Sequence, residues 1–178
     1  MDSRARAAAL DELIEVSALW GMSDRGGYVV VSGAKRAVVA AATDALVAGL
    51  DSPSLRELAG LPHDTNWGET ASVIAAAISE LGVAFDPADR DQSQVLALRY
   101  VCRRYLANEL RIEAVANWAE TFIGYEGAAA AQDLVRLAGD IEGESYPLFT
   151  RRKKLPELIA ARQQSYRARV EAFLAATR

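Results

Sequence analysis

The sequence predicts an all-α fold, a single irregular bundle of seven or eight helices. Three observations carry that prediction. The apolar share is 51% and leans on alanine, the strongest helix former, while β-branched clusters are few. Apolar residues recur at i, i+3, i+4 and i+7, the spacing that lines one face of a helix. Capping residues and Gly or Pro stops separate these periodic segments. At 178 residues the chain is long enough to bury a core, and its length predicts one domain over residues 1–178. There is no internal repeat and no low-complexity linker.

A first helix is predicted from about Ser3 to Trp20. Leu10, Leu13, Ile14 and Ser17 form its apolar stripe, Val16, Leu19 and Trp20 widen it, and Gly21 is its expected stop. Gly26-Gly27 breaks the next stretch, Met22–Gly33, and Tyr28-Val29-Val30-Val31 has strand-like composition. A lone strand cannot satisfy its backbone, and Val83-Ala84-Phe85 is the one candidate partner. A short pair between residues 28–31 and 83–85, an extended loop and an early start to the second helix are the open alternatives.

The second helix is expected over about Ala34–Ala48, stopped by Gly49. The segment Leu50–Pro62 then has both ends of a short helix written into it. Asp51 or Ser52 can cap, Pro53 suits the first turn, and Gly60 followed by Pro62 ends it. A loop carrying His63 leads to Asn66-Trp67-Gly68-Glu69, which resembles a capping box. It opens a helix through Ile74, Ile78 and Leu81 that Gly82 stops. Asp86-Pro87 signals another start, and that helix is expected to reach Asn108, with Val95, Leu98, Cys102, Tyr105 and Leu106 inside. Val115, Trp118, Ala119 and Phe122 mark a further helix before Gly124, and Leu134, Leu137, Ala138 and Ile141 another before Gly143. Pro156 starts the last helix, with Leu158, Ile159, Tyr166, Val170, Phe173 and Leu174 on its apolar side.

Charge is the most uneven property of the chain. The net value is −4, but residues 151–178 hold eight basic and two acidic residues, and the preceding 150 residues carry −10. An acidic body with a basic terminal segment speaks to partners rather than to fold. The longest apolar runs, Ala37–Ala42 and Ala71–Ile78, are far short of the ~20 residues that span a bilayer. The first residues, Met1-Asp2-Ser3-Arg4-Ala5-Arg6, lack the apolar stretch of a secretory signal. The lone Cys102 has no intrachain disulfide partner. These features predict a cytoplasmic protein with no membrane association.

The residues point away from several chemistries. His63 is the only histidine and Cys102 the only cysteine, in different segments, so zinc-ligand spacing is missing and no metal site is predicted. Asp86, Asp89 and Asp91 are the densest carboxylates and the one set that suggests magnesium. Acids at a helix start ordinarily cap amides and complement the dipole. No Gly-rich phosphate loop, nucleophile elbow or Glu-x-x-His pair occurs. No cofactor is predicted, and no catalytic residue. Two stretches remain as candidate binding residues. His63, Asp64, Asn66 and Trp67 form a loop patch, and loops carry recognition disproportionately. Arg151, Arg152, Lys153 and Lys154 form the densest charge run, readable as a solvated helix face, a surface for acidic protein (this chain's own included), or a phosphate contact.

The segment Leu50-Asp51-Ser52-Pro53-Ser54-Leu55-Arg56-Glu57-Leu58-Ala59-Gly60-Leu61, the Leu81-Gly82 step and the basic–apolar stretch Tyr100–Leu110 together resemble small helical proteins of high-GC actinobacteria. The resemblance spans roughly Ala40–Ala119 and is structural. It implies a bacterial origin and brings no activity or catalytic residues with it. Small helical proteins of this kind also resemble partners of secreted or intercellular toxins. The leading expectation is a non-enzymatic protein-interaction module, immunity-like or adaptor-like, that binds a basic partner. The alternatives are a nucleic-acid-associated regulator using the basic C-terminal helix, and a small carboxylate- and magnesium-dependent enzyme. Self-association is compatible with any of them.

Overall fold

The computed structural model describes residues 2–23, 33–62, 64–85, 89–144 and 155–177. Among them lie eight α-helices and no strand. The helices are α1 (Ser3–Ser23), α2 (Ala34–Val47), α3 (Pro53–Ala59), α4 (Trp67–Glu80), α5 (Arg90–Leu106), α6 (Ile112–Phe122), α7 (Gln132–Glu144) and α8 (Leu155–Ala176), with one 3₁₀ turn at Ala129–Ala131. The all-helical expectation therefore holds. Of the suggested strand pair, Val83–Phe85 is irregular, and residues 28–31 lie outside the described residues.

The chain divides into two compact units, Met1–Tyr100 and Val101–Arg178. In the first, α1 packs on α2, α2 on α3, α3 on α4, and α1 also meets α4. Their shared core holds Leu13, Val16, Trp20, Val38, Leu55, Leu58, Ile74 and Ile78. From Leu13 to Trp20 only Ile14 escapes full burial, so this stretch of α1 is enclosed on nearly every side. In the second unit α6 packs on α7, and α8 meets α7 and the 3₁₀ turn. Its buried residues include Trp118, Leu134, Leu137, Val170 and Phe173. The Trp118 and Phe122 rings stack with centroids 5.1 Å apart.

Helix ends follow local chemistry. Ser52 caps α3, its hydroxyl accepting from the Leu55 amide at 3.2 Å, and Pro53 occupies the first turn. Asp51, the alternative cap, instead pairs with Arg56. Three helices end in the same left-handed closure, where the residue after the cap takes positive φ and two amides bond back across the last turn. Gly49 (φ 84°) does this for α2, with Leu50 N–H on the Ala45 carbonyl. Gly82 (φ 72°) does it for α4, with Val83 N–H on the Ile78 carbonyl. In α5 the residue is Asn108 (φ 61°), with Glu109 N–H on the Arg104 carbonyl.

Several boundaries differ from the sequence expectation. Gly21 does not stop α1, which continues to Ser23. A helical glycine costs about 1 kcal/mol against alanine, whereas burying the Met22 side chain, 5% exposed, offsets that with ~1.5–3 kcal/mol. Gly143 likewise lies inside α7. The described part of α5 begins at Arg90 because the Asp89 carboxylate accepts from the Gln92 amide at 3.0 Å. Ile159, expected on the buried side of α8, is exposed, and burial on this helix is concentrated at Val170 and Phe173.

Candidate functional site

The loop patch is described at Asp64 and Asn66, both exposed. Asn66 is the N-cap of α4, and its side-chain oxygen accepts from the Glu69 amide at 2.9 Å. Lys35 Nζ donates to the Thr65 carbonyl at 2.7 Å and fastens the loop to α2. His63, the Trp67 side chain and the run Arg151, Arg152, Lys153 and Lys154 lie outside the described residues.

Among the carboxylates suggested for magnesium, Asp89 caps α5, Asp91 is exposed in its first turn, and Asp86 lies outside the described residues. Among the described residues no group of three or more His, Cys, Asp or Glu could hold a metal ion. Cys102 is fully buried on α5, where a thiol packs as a small apolar group.

Unit Met1–Tyr100 also contains an ion pair that the sequence pattern does not announce. Arg99 Nε on α5 donates to Glu15 Oε1 on α1 at 2.7 Å, with the two side chains 8% and 1% exposed. Its trace in the sequence is a charge inside each of two apolar runs, Leu13-Ile14-Glu15-Val16 and Leu96-Ala97-Leu98-Arg99-Tyr100-Val101.

The same unit holds a cleft of about 480 Å³. Trp20 and Gly21 of α1, Ala71, Ile74, Ala75 and Ile78 of α4, Val83–Phe85, and Gln92 and Ser93 of α5 form its walls. None of its described lining residues carries a titratable side chain. The Ser17 hydroxyl at its edge donates to the Leu13 carbonyl at 2.6 Å. Its sequence signal is faint, because Ala, Gly and Ser from three separate helices leave the space and each reads locally as ordinary helix composition.

Surface electrostatics differ between the units. Met1–Tyr100 carries fourteen acidic and eight basic residues, a net of −6, and Val101–Arg178 a net of +2. Eleven of the fourteen carboxylates are exposed among the described residues, and Glu15 is buried. Near the start of α3, Glu80 accepts from the Ser54 amide at 2.9 Å and from the Ser54 hydroxyl at 2.8 Å. The Ser54 amide bond, then the Ser54 and Ser52 hydroxyls, hold Glu80 below the ordinary glutamate pKa. The side-chain hydrogen bond from Arg56 lowers Asp51 in the same way.

On α8, Arg169 is directed into its own unit, bonding the Asp133 carboxylate at 2.9 Å and Asp140 at 2.6 Å. Burial alone would lower its pKa, but the hydrogen bonds to both aspartates outweigh that and raise it. Arg167 pairs with Glu171 at 2.9 Å. A more polar groove of about 770 Å³ runs past Tyr105, Arg111, Glu113, Arg162, Tyr166 and Arg167, and burial raises the Tyr105 pKa.

Comparison with protein-family models, with curated proteins and with solved structures gives no match. Among the described residues no helix is long and apolar enough to cross a membrane.

Proposed function

We propose that this chain is a non-enzymatic protein-interaction module, immunity-like or adaptor-like, whose N-terminal unit receives a basic protein partner. The carrying observation is the exposed acidic surface of Met1–Tyr100, with eleven solvent-facing carboxylates on a unit of net charge −6. Such a field raises the rate at which a cationic partner is captured and repels anionic ones. Two of the unit's cations are engaged internally, since Arg99 is buried against Glu15 and Lys35 binds the Thr65 carbonyl. The arginine pairs of α8 agree with this reading, because Arg167 and Arg169 are engaged by Glu171, Asp133 and Asp140.

The test is affinity capture from the native host at low and moderate salt, with and without nuclease. A discrete basic protein, retained after nuclease treatment and weakened by salt, is the expected result. Recovery of nucleic acid alone overturns the proposal and transfers the function to the basic C-terminal segment.

A further inference from the structure

We infer that the cleft of Met1–Tyr100 is a binding site for a neutral, largely apolar small molecule, independently of the protein partner proposed above. Three observations converge on this ligand class. The first is size. A volume of about 480 Å³ falls in the range of small-molecule sites, roughly 300–1,000 Å³.

The second is how the space arises. Gly21, Ala71, Ala75 and Ala84 face a region that larger side chains would fill, while Trp20 and Phe85 supply aromatic wall. A Cβ added at Gly21 would meet nothing within 4 Å. The last turn of α1 thus carries a glycine where alanine would fit and would favour the helix more strongly.

The third is charge. Among the described lining residues, Ser79, Gln92 and Ser93 carry hydroxyl and amide groups and none carries an ionisable side chain. Against these described walls an ionic ligand would surrender hydration without gaining a counter-charge. A neutral ligand with one or two hydrogen-bonding groups loses nothing comparable and gains apolar burial.

The experiment uses the full chain and the neutral fluorophore N-phenyl-1-naphthylamine. The expected result is saturable one-to-one binding with enhanced emission. Ala75→Phe, at an exposed position on the cleft wall, and Ala71→Leu should each weaken it by about tenfold or more while the helical circular dichroism and the unfolding midpoint are kept. Val47→Ser, which removes an exposed apolar side chain (82% exposed) away from the cleft, should leave binding unchanged. The anionic 1-anilinonaphthalene-8-sulfonate should bind more weakly than the neutral probe. Absence of saturable binding, binding by both folded wall variants equal to that of the wild type, or preference for the anionic probe would each overturn the assignment.

Discussion

Arg99 and Glu15, 84 residues apart in sequence, meet at 2.7 Å with both side chains buried. Removing two charges from water costs several kcal/mol per ion, and only good geometry with supporting hydrogen bonds offsets it. The pair is therefore a poor source of net stability and a strong constraint on arrangement, because removing either member takes away the buried counter-charge of the other. It ties α1 to the part of α5 that belongs to the first unit.

Breaking this pair from one side should destabilise the protein severely. Glu15→Ala and Arg99→Ala are each expected to cost about 3–5 kcal/mol. Replacing both with leucine and methionine should recover most of that loss. Urea denaturation of the single and double variants measures the coupling, and additive losses would contradict the relationship.

The α3 cap predicts a smaller effect. Ser52→Ala removes the acceptor for the Leu55 amide and should cost about 0.5–2 kcal/mol, with Asn66→Ala at α4 in the same range. Equilibrium unfolding in denaturant reports both.

Two glycine substitutions should act with opposite sign. Gly139 lies in α7, and a Cβ added there would meet nothing within 4 Å, so Gly139→Ala should stabilise by about 0.5–1 kcal/mol. Gly82 ends α4 at φ 72°, and Gly82→Ala should destabilise by ~1 kcal/mol because an L side chain is strained there. Thermal unfolding of the two variants checks the signs.

Acid should weaken the protein partly through Glu80. Its pKa is lowered on folding, first by the Ser54 amide and then by the Ser54 and Ser52 hydroxyls, so the folded state favours the carboxylate. That stabilisation is fully present above the ordinary glutamate pKa and disappears as pH falls through the lowered folded value. Glu80→Gln should flatten this part of the acid limb when unfolding midpoints are followed from neutral pH downward.

Local chemistry made much of the fold legible. Ser52, Pro53, Asn66, Gly49 and Gly82 do what their types dictate, because caps and left-handed closures depend on residues within one turn. Gly21 misled because its effect is decided by the burial of Met22, a tertiary matter. Ile159 misled because apolar periodicity marks a stripe without saying which part of it finds a neighbour. The candidate sites were less legible. The Glu15–Arg99 pair needs α1 and α5 together, and the cleft depends on small residues contributed by three helices. Asn66 reads from the sequence both as a cap and as a candidate contact, and its side-chain oxygen is engaged in capping.

The decisive measurement is a comparison of partner capture by the wild-type chain and by the charge-neutralised variant Asp44→Asn, Glu57→Gln, Asp64→Asn. All three residues are exposed in the N-terminal unit, and none caps a helix. The expected result is a discrete basic protein retained by the wild type after nuclease treatment and markedly depleted with the folded variant at the same salt. Equal capture by both proteins, or no protein partner at any salt, would contradict an acidic recognition surface.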